Sequence, residues 1–300
     1  MGDSGAVLDY GGRWLKAGWA FNFPTEEEPR KMTPNAVFVE QEGGGSELQR
    51  PVQRGKIASW EQFESLAYYA LYDLMGLELG YEGNIMLSDA AHAADPSGQA
   101  NGAASPMSDA AAGALTEEAA EALKELCARC AESESAYAAA TGASGSPSAT
   151  PAAPETFRLP DGQKFTVTTE GLSIGEALFR PGPLLGLVGP SPAEAACDSA
   201  SSLDVVLRKV MMENMLLVGG GSVIPGVAAR LVSEVRSMVS HSTNPNLIPT
   251  PEYMPSPAVP REAPWVGGAV VAKVAQIQNH FIFKADYDEA GPIAVHRRCS

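Results

Sequence analysis

Leu216-Leu217-Val218-Gly219-Gly220-Gly221-Ser222-Val223-Ile224-Pro225-Gly226 is the stretch on which the fold turns. The apolar run Met215 to Val218 reads as a buried strand, broken by three glycines and followed by a proline suited to the first turn of a helix. A strand passing through glycines into a helix start leaves backbone N–H groups beside a positive dipole end, which suits phosphate. Glycine serves there because any Cβ would hold a ligand off the backbone. The same pattern also serves plain tight packing, so the motif alone leaves both readings open. Outward from it, the spacing predicts one helix around Ser201–Met212 and another from Pro225 to about Met238. A Pro-rich loop, Pro245 to Pro264, then leads to a last helix from Trp265 to about Gln278.

Toward the N-terminus, Phe157 and Phe165-Thr166-Val167 flank Leu159-Pro160-Asp161-Gly162-Gln163, whose Asp-Gly pair signals a β-hairpin. Ala90 to Ala114 and Gly142 to Pro154 are rich in Ala, Ser, Gly and Pro with almost nothing large. Such runs bury too little apolar area to offset chain ordering, and linkers are expected there. Between them, Thr116 is placed to cap an amphipathic helix carrying Ala119, Leu123, Leu126 and Cys130 on one stripe. Earlier, Ala6-Val7-Leu8 and Leu15 to Ala20 read as strands around the Gly11-Gly12 turn. Residues 41–55 read as a polar loop, and Gly83 to Leu87 as a short buried strand. Ser59 with Gln62 forms a capping box for a helix that buries Trp60, Phe63, Ala67, Ala70, Leu71 and Leu74.

The chain has 300 residues, enough for one large core or two lobes. It carries 21 Lys and Arg against 36 Asp and Glu, a net charge of −15. Gripping nucleic acid requires cations against phosphates, so no direct nucleic-acid binding is expected. No apolar run approaches the length of a membrane span. The opening MGDSGAVLDY lacks a basic region followed by an apolar one, so no secretory leader is expected, and Ala6 sits where a myristoylation motif wants Ser or Thr. Four cysteines fit a reducing compartment.

A second phosphate candidate is Asp9-Tyr10-Gly11-Gly12-Arg13-Trp14-Leu15-Lys16, a strand end, a glycine turn and an ammonium; the plainer reading is a hairpin with a surface lysine. Cys127 and Cys130 have metal-ligand spacing but no second pair, and read as buried thiols on one helix face. The four histidines form no zinc motif, and no metal site is expected.

Taken together and in order, these segments resemble the actin family. The Val7 to Gly18 segment is similar to its first phosphate loop, and Arg50-Pro51-Val52-Gln53-Arg54-Gly55 to its return into the first lobe. Gly175-Glu176-Ala177-Leu178-Phe179-Arg180-Pro181 resembles a later landmark, and Gly219 to Gly226 its adenosine loop. Trp265-Val266-Gly267-Gly268-Ala269 and Lys284 to Pro292 resemble its C-terminal end. Leu77 to Gly83 and Pro251-Glu252-Tyr253-Met254-Pro255 are similar to the seventh, plant-type nuclear class of actin-related proteins rather than to conventional actin.

The resemblance implies a truncated two-lobed α/β fold of the actin-like, ribonuclease H-like ATPase clan, with its middle missing. Residues 1–89 would begin the first lobe and 90–114 replace the missing middle. Residues 115–200, with a 142–154 linker, and 201–262 would form the second lobe, and 263–300 would return to the first. It also implies ATP or ADP with Mg2+ as ligand, through Asp9, Gly11, Gly12 and Lys16 and through Gly219, Gly220, Gly221 and Ser222, with Arg261 beside the adenine. The family's second phosphate loop and its water-positioning Gln have no counterpart here, and Gly12 replaces a usual Ser, so hydrolysis is not expected. What the class implies is a non-catalytic scaffold of a nuclear chromatin-remodelling complex. Its partners would be a basic helix of the remodelling ATPase, held near Trp265–Gln278, and other actin-related or actin subunits. The alternative is a cytoplasmic ATP-binding actin-like cytoskeletal protein.

Overall fold

The computed structural model describes residues 5–20, 31–40, 46–53, 56–80, 83–88, 117–142, 154–158, 162, 164–249 and 259–298. The expected linker 90–114, most of the 142–154 linker, the Thr116 cap and residues 250–258 lie outside them. The chain forms two compact units, residues 1–92 with 262–300, and residues 93–261.

The first unit is built on a four-stranded sheet. β1 (Ala6–Tyr10) and β2 (Trp14–Trp19) pair antiparallel around the glycine turn, setting Asp9 opposite Lys16. β3 (Lys31–Pro34) extends the sheet beyond β2. The strand expected near Gly83 is β8 (Ile85–Ser88), parallel to β1, with Asp9 opposite Ser88. It is half-buried rather than buried, and Leu87 is exposed. The region expected to be a polar loop carries more order: β4 (Val37–Glu40) pairs with β5 (Ser46–Gln49), and β6 (Val52–Gln53) with β7 (Lys56–Ile57). In the first pair Val37 packs against the core of the unit, while Phe38 and Leu48 stand opposite each other and are exposed.

Ser59 accepts a hydrogen bond from the Gln62 amide and starts α1 (Trp60–Tyr68). The Gln62 side chain turns instead to Gln49, so only half of the capping box forms. The helix then widens into a π-helical turn, Tyr69–Leu74, where the Met75 N–H reaches the Ala70 carbonyl. Leu66 before it and Ala70 and Leu71 within it are the buried stripe, and Trp60 is 72 % exposed. These side chains pack with Ala6, Leu8, Leu15 and Ala17 as the core of the unit. From Glu262 onward, α9 (Val259–Ile277) covers the sheet; Trp265 is buried and donates its indole N–H to the Val7 carbonyl at 3.1 Å. This helix starts earlier than the Pro-rich reading allowed: Pro260 falls in its first turn, where no amide donor is needed, and Pro264, inside the helix, leaves the Pro260 carbonyl to the Gly219 N–H. It is not the last: α10 (Lys284–Ala290) and α11 (Ile293–Arg298) follow.

In the second unit, α2 (Glu117–Cys127) precedes a segment that is neither helix nor strand, Ala128–Ala131, so Cys130 lies beyond the helix on which it was expected. α3 (Glu134–Ala140) is capped by Ser133. The hairpin expected around Asp161-Gly162 is β9 (Glu155–Arg158) against β10 (Lys164–Val167), with Gly162 at φ +90°. Then come α4 (Glu170–Phe179), α5 (Pro181–Leu185), α6 (Pro192–Ser201), α7 (Val205–Glu213) and α8 (Val227–Met238). The helix expected over Ser201–Met212 is therefore the end of α6 and most of α7. α6 starts on a full capping box, Ser191 to the Glu194 amide and the Glu194 carboxylate back to Ser191, with Pro192 at its first position.

Candidate functional site

In the first loop Asp9 and Lys16 are both buried, and the Lys16 Nζ lies 2.5 Å from Asp9 Oδ2. The other carboxylate oxygen accepts from the Ser88 hydroxyl at 2.5 Å. The hairpin-with-surface-lysine alternative is half right: the hairpin forms, but its lysine is interior. Three strands converge here because the register sets Lys16 and Ser88 on either side of Asp9. The turn is held by Asn35, a fully buried residue that sequence reasoning passed over. Its Nδ2 donates to the carbonyls of Gly11 and Val52, each at 2.9 Å, and its N–H donates to Arg13 O. The Arg13 guanidinium lies over the Trp14 ring, 5.4 Å from its centroid.

A buried ion pair stays favourable only while both partners are present. Lys16→Met is therefore expected to cost about 3–5 kcal/mol, and Asp9→Asn with Lys16→Met to recover much of that. Chemical denaturation of the two variants against the parent checks it.

The second candidate differs from its sequence reading. Met215 to Val218 is not a buried strand: Met215 makes one bridge to Leu247, and Leu216 is exposed. The glycines do not lead directly into a helix. Gly220–Val223 form one 3-10 turn, Pro225-Gly226 a second turn, and α8 begins at Val227 with Gly226 as its cap. The Gly219 N–H donates to Pro260 O at 2.7 Å, next to Arg261 in the first turn of α9. The Ser222 hydroxyl donates to Gly219 O at 2.7 Å. Thus the structure brings together Asp9 and Lys16 beside the Gly11 turn, and Gly219 to Ser222 beside Pro260 and Arg261. The two groups belong to different units. In each, some of the polar atoms are paired within the protein: the Lys16 ammonium with Asp9, the Gly219 amide with Pro260 O and the Ser222 hydroxyl with Gly219 O.

Gly226 has another task. At φ +92°, a Cβ on it would lie 1.9 Å from the Cys130 carbonyl oxygen, and one on Gly175 would lie 2.3 Å from Arg129 O. These contacts clamp the Ala128–Ala131 segment, whose Arg129 and Cys130 amides donate to Gly171 O and Pro225 O. Beneath it lies a charge cluster that composition gave no hint of. Arg230 and Glu176, both fully buried, form a bidentate pair at 2.6 and 2.9 Å, and Arg230 Nε also reaches Glu234 at 2.6 Å. Cys127 and Cys130 are buried as expected, and burial pushes the Cys130 thiol up to about 11. Among the described residues no group of His, Cys, Asp and Glu is arranged to hold a metal ion.

The two-unit α/β structure with these loops is that of an actin-type protein, and a model of the actin family matches residues 113–300. The chain belongs to the actin family. It is 29 % identical to a protein named Actin-related protein 7 from Oryza sativa subsp. indica, and equally to that of subsp. japonica, over 369 positions covering 98 % of this chain and 99 % of the relative. To Actin-related protein 7 of Arabidopsis thaliana it is 28 % identical over 373 positions, with the same coverage. Since 98 % of 300 residues is about 294, about 75 of the 369 aligned positions have no residue here. The alignment thus spans nearly the whole of these relatives with fewer residues on this side of it.

Proposed function

We propose that this chain is a non-catalytic actin-related scaffold in a nuclear chromatin-remodelling complex, holding a basic helix of the remodelling ATPase beside other actin-related or actin subunits. The reading rests chiefly on the first loop, where Asp9 and Lys16 are spent on each other and the sequence offers no second phosphate loop. Half a clamp neither surrounds a γ-phosphate nor orients a water. In this reading ATP or ADP with Mg2+ is at most a passenger.

The docking face is supplied by α9. Ala269 and Ala272 are buried, while Val270, Val274 and Ile277 recur at i, i+4 and i+7 and are 46–85 % exposed. A partner helix laid along that stripe covers it. Residues 263–300 carry four Lys and Arg against three Asp and Glu. The charge of −15 therefore acts on approach rather than in the contact, and salt should slow association more than it speeds dissociation.

Titration calorimetry with the remodeller's basic helical segment should give heat with the parent and none with Val274→Glu. Absence of heat and of co-purification at low salt with the parent would overturn the reading. Stoichiometric ATP or ADP in purified protein would instead favour the cytoplasmic, cytoskeletal alternative.

A further inference from the structure

The β9–β10 hairpin sets two cations directly against each other. Lys164 stands opposite Arg158 in the register, and both are exposed. The strands alternate cleanly: Phe157, Phe165 and Val167 are half-buried on one face, while Thr156, Arg158, Lys164 and Thr166 are exposed on the other. Thr156 and Thr166 make the next opposed pair on that outer face, their hydroxyls 3.4 Å apart. Like charges directly opposite one another destabilise a strand pair. Among the described residues neither side chain has a carboxylate to relieve this: Glu155 lies 3.9 Å from Arg129, and Glu170 takes the N–H and hydroxyl of Thr168. Asp161, in the turn between the strands, lies outside the described residues.

Such a face suits an anion that spans both cations. The planar guanidinium offers two parallel N–H groups to one anion, and the lysine adds a point charge beside it. A phosphate monoester carries a charge of about −1.5 to −2 and three acceptor oxygens, which matches the pair, whereas one carboxylate matches half of it. On so open a face a free phosphate would be held by the two cations alone, while a segment bearing the phosphate also lies across the Thr156–Thr166 pair. A nucleic-acid strand fits less well, because its phosphates continue past the pair toward Glu170 and the chain's charge of −15 opposes a polyanion. A second copy would bring four cations together. We infer that the outer face of β9–β10 docks an extended segment of a partner protein carrying a phosphorylated serine or threonine, its phosphate bridging Arg158 and Lys164. This surface belongs to the second unit, and its test does not depend on the α9 reading.

The probes are two short labelled peptides of Gly, Thr and Val, one with a central phosphoserine and the other with serine in its place. Fluorescence anisotropy with the full chain should show the phosphorylated peptide binding at least about tenfold more tightly. Lys164→Glu should remove that preference, and Lys164→Thr should weaken it. Lys164→Glu also turns a like-charged pair into an opposite one, so its melting temperature should not fall. Inorganic phosphate should compete only at concentrations well above the peptide's, and a single-stranded DNA of matched length should bind less tightly than the phosphopeptide. Equal binding of the two peptides, a preference that survives Lys164→Glu, inorganic phosphate competing on equal terms, or tighter binding of the DNA would each overturn the inference.

Discussion

Arg230→Met is expected to lower the melting temperature of the 93–261 unit by about 10 °C. Arg230 closes a cluster in which Glu176 has no access to water: two bonds to Glu176, one to Glu234 and a guanidinium 5.1 Å over the Phe179 ring. Removing the cation leaves a buried carboxylate alone, a loss of about 3–5 kcal/mol, and each kcal/mol moves the midpoint of a domain this size by about 2–4 °C. Replacing both partners, Glu176→Leu with Arg230→Met, should restore more than half of the loss, because the cost lies in the orphaned charge rather than in the absence of the pair. Melts of the two variants followed by circular dichroism decide this. Equal losses in the single and double variants would mean that the cluster acts through packing alone.

Gly226→Ala is expected to be comparably damaging. A left-handed backbone costs an L-residue about 1–2 kcal/mol, and the forced retreat of the Cys130 carbonyl adds about 1–3 kcal/mol. Gly220→Ala supplies the contrast. It lies six residues away, is exposed, has no positive φ, and has nothing within 4 Å of a new Cβ. Its melting curve should match the parent's. A tolerated Gly226→Ala would show that the Ala128–Ala131 segment is not clamped between α4 and α8.

These two glycines mark where the sequence could be read and where it could not. Turn chemistry was plain: Gly11-Gly12 and Asp161-Gly162 each join an antiparallel pair, and Ser59 begins a helix. Ser191-Pro192-Ala193-Glu194 carries an equally strong helix start, and α6 was within reach of the same rule. The strand expected at Met215–Val218 failed because an apolar run becomes a strand only beside a partner, and here it finds a single bridge to Leu247. Glycine function was the least legible feature. Gly219 to Gly221 read as a ligand loop, whereas Gly226 is the one against which another backbone is pressed, a contact between segments almost a hundred residues apart.

At the candidate site, Asp9, Gly11 and Lys16 were legible as a unit because strand and turn place them within eight residues. Ser88 and Asn35 were not, since their roles come from a parallel strand pair and from a loop closing on Gly11 and Val52. The Glu176–Arg230 pair was hidden for the same reason: Glu176 stood in a recognisable stretch, but nothing local announced its partner 54 residues on.

The central claim is that this actin-family chain holds partners and does not turn over nucleotide. Continuous phosphate release from ATP with Mg2+, measured on the purified full chain beside its Asp9→Asn variant, tests it most directly. The account predicts that both traces stay at the protein-free background. Steady release by the parent that disappears in the Asp9→Asn variant would contradict it.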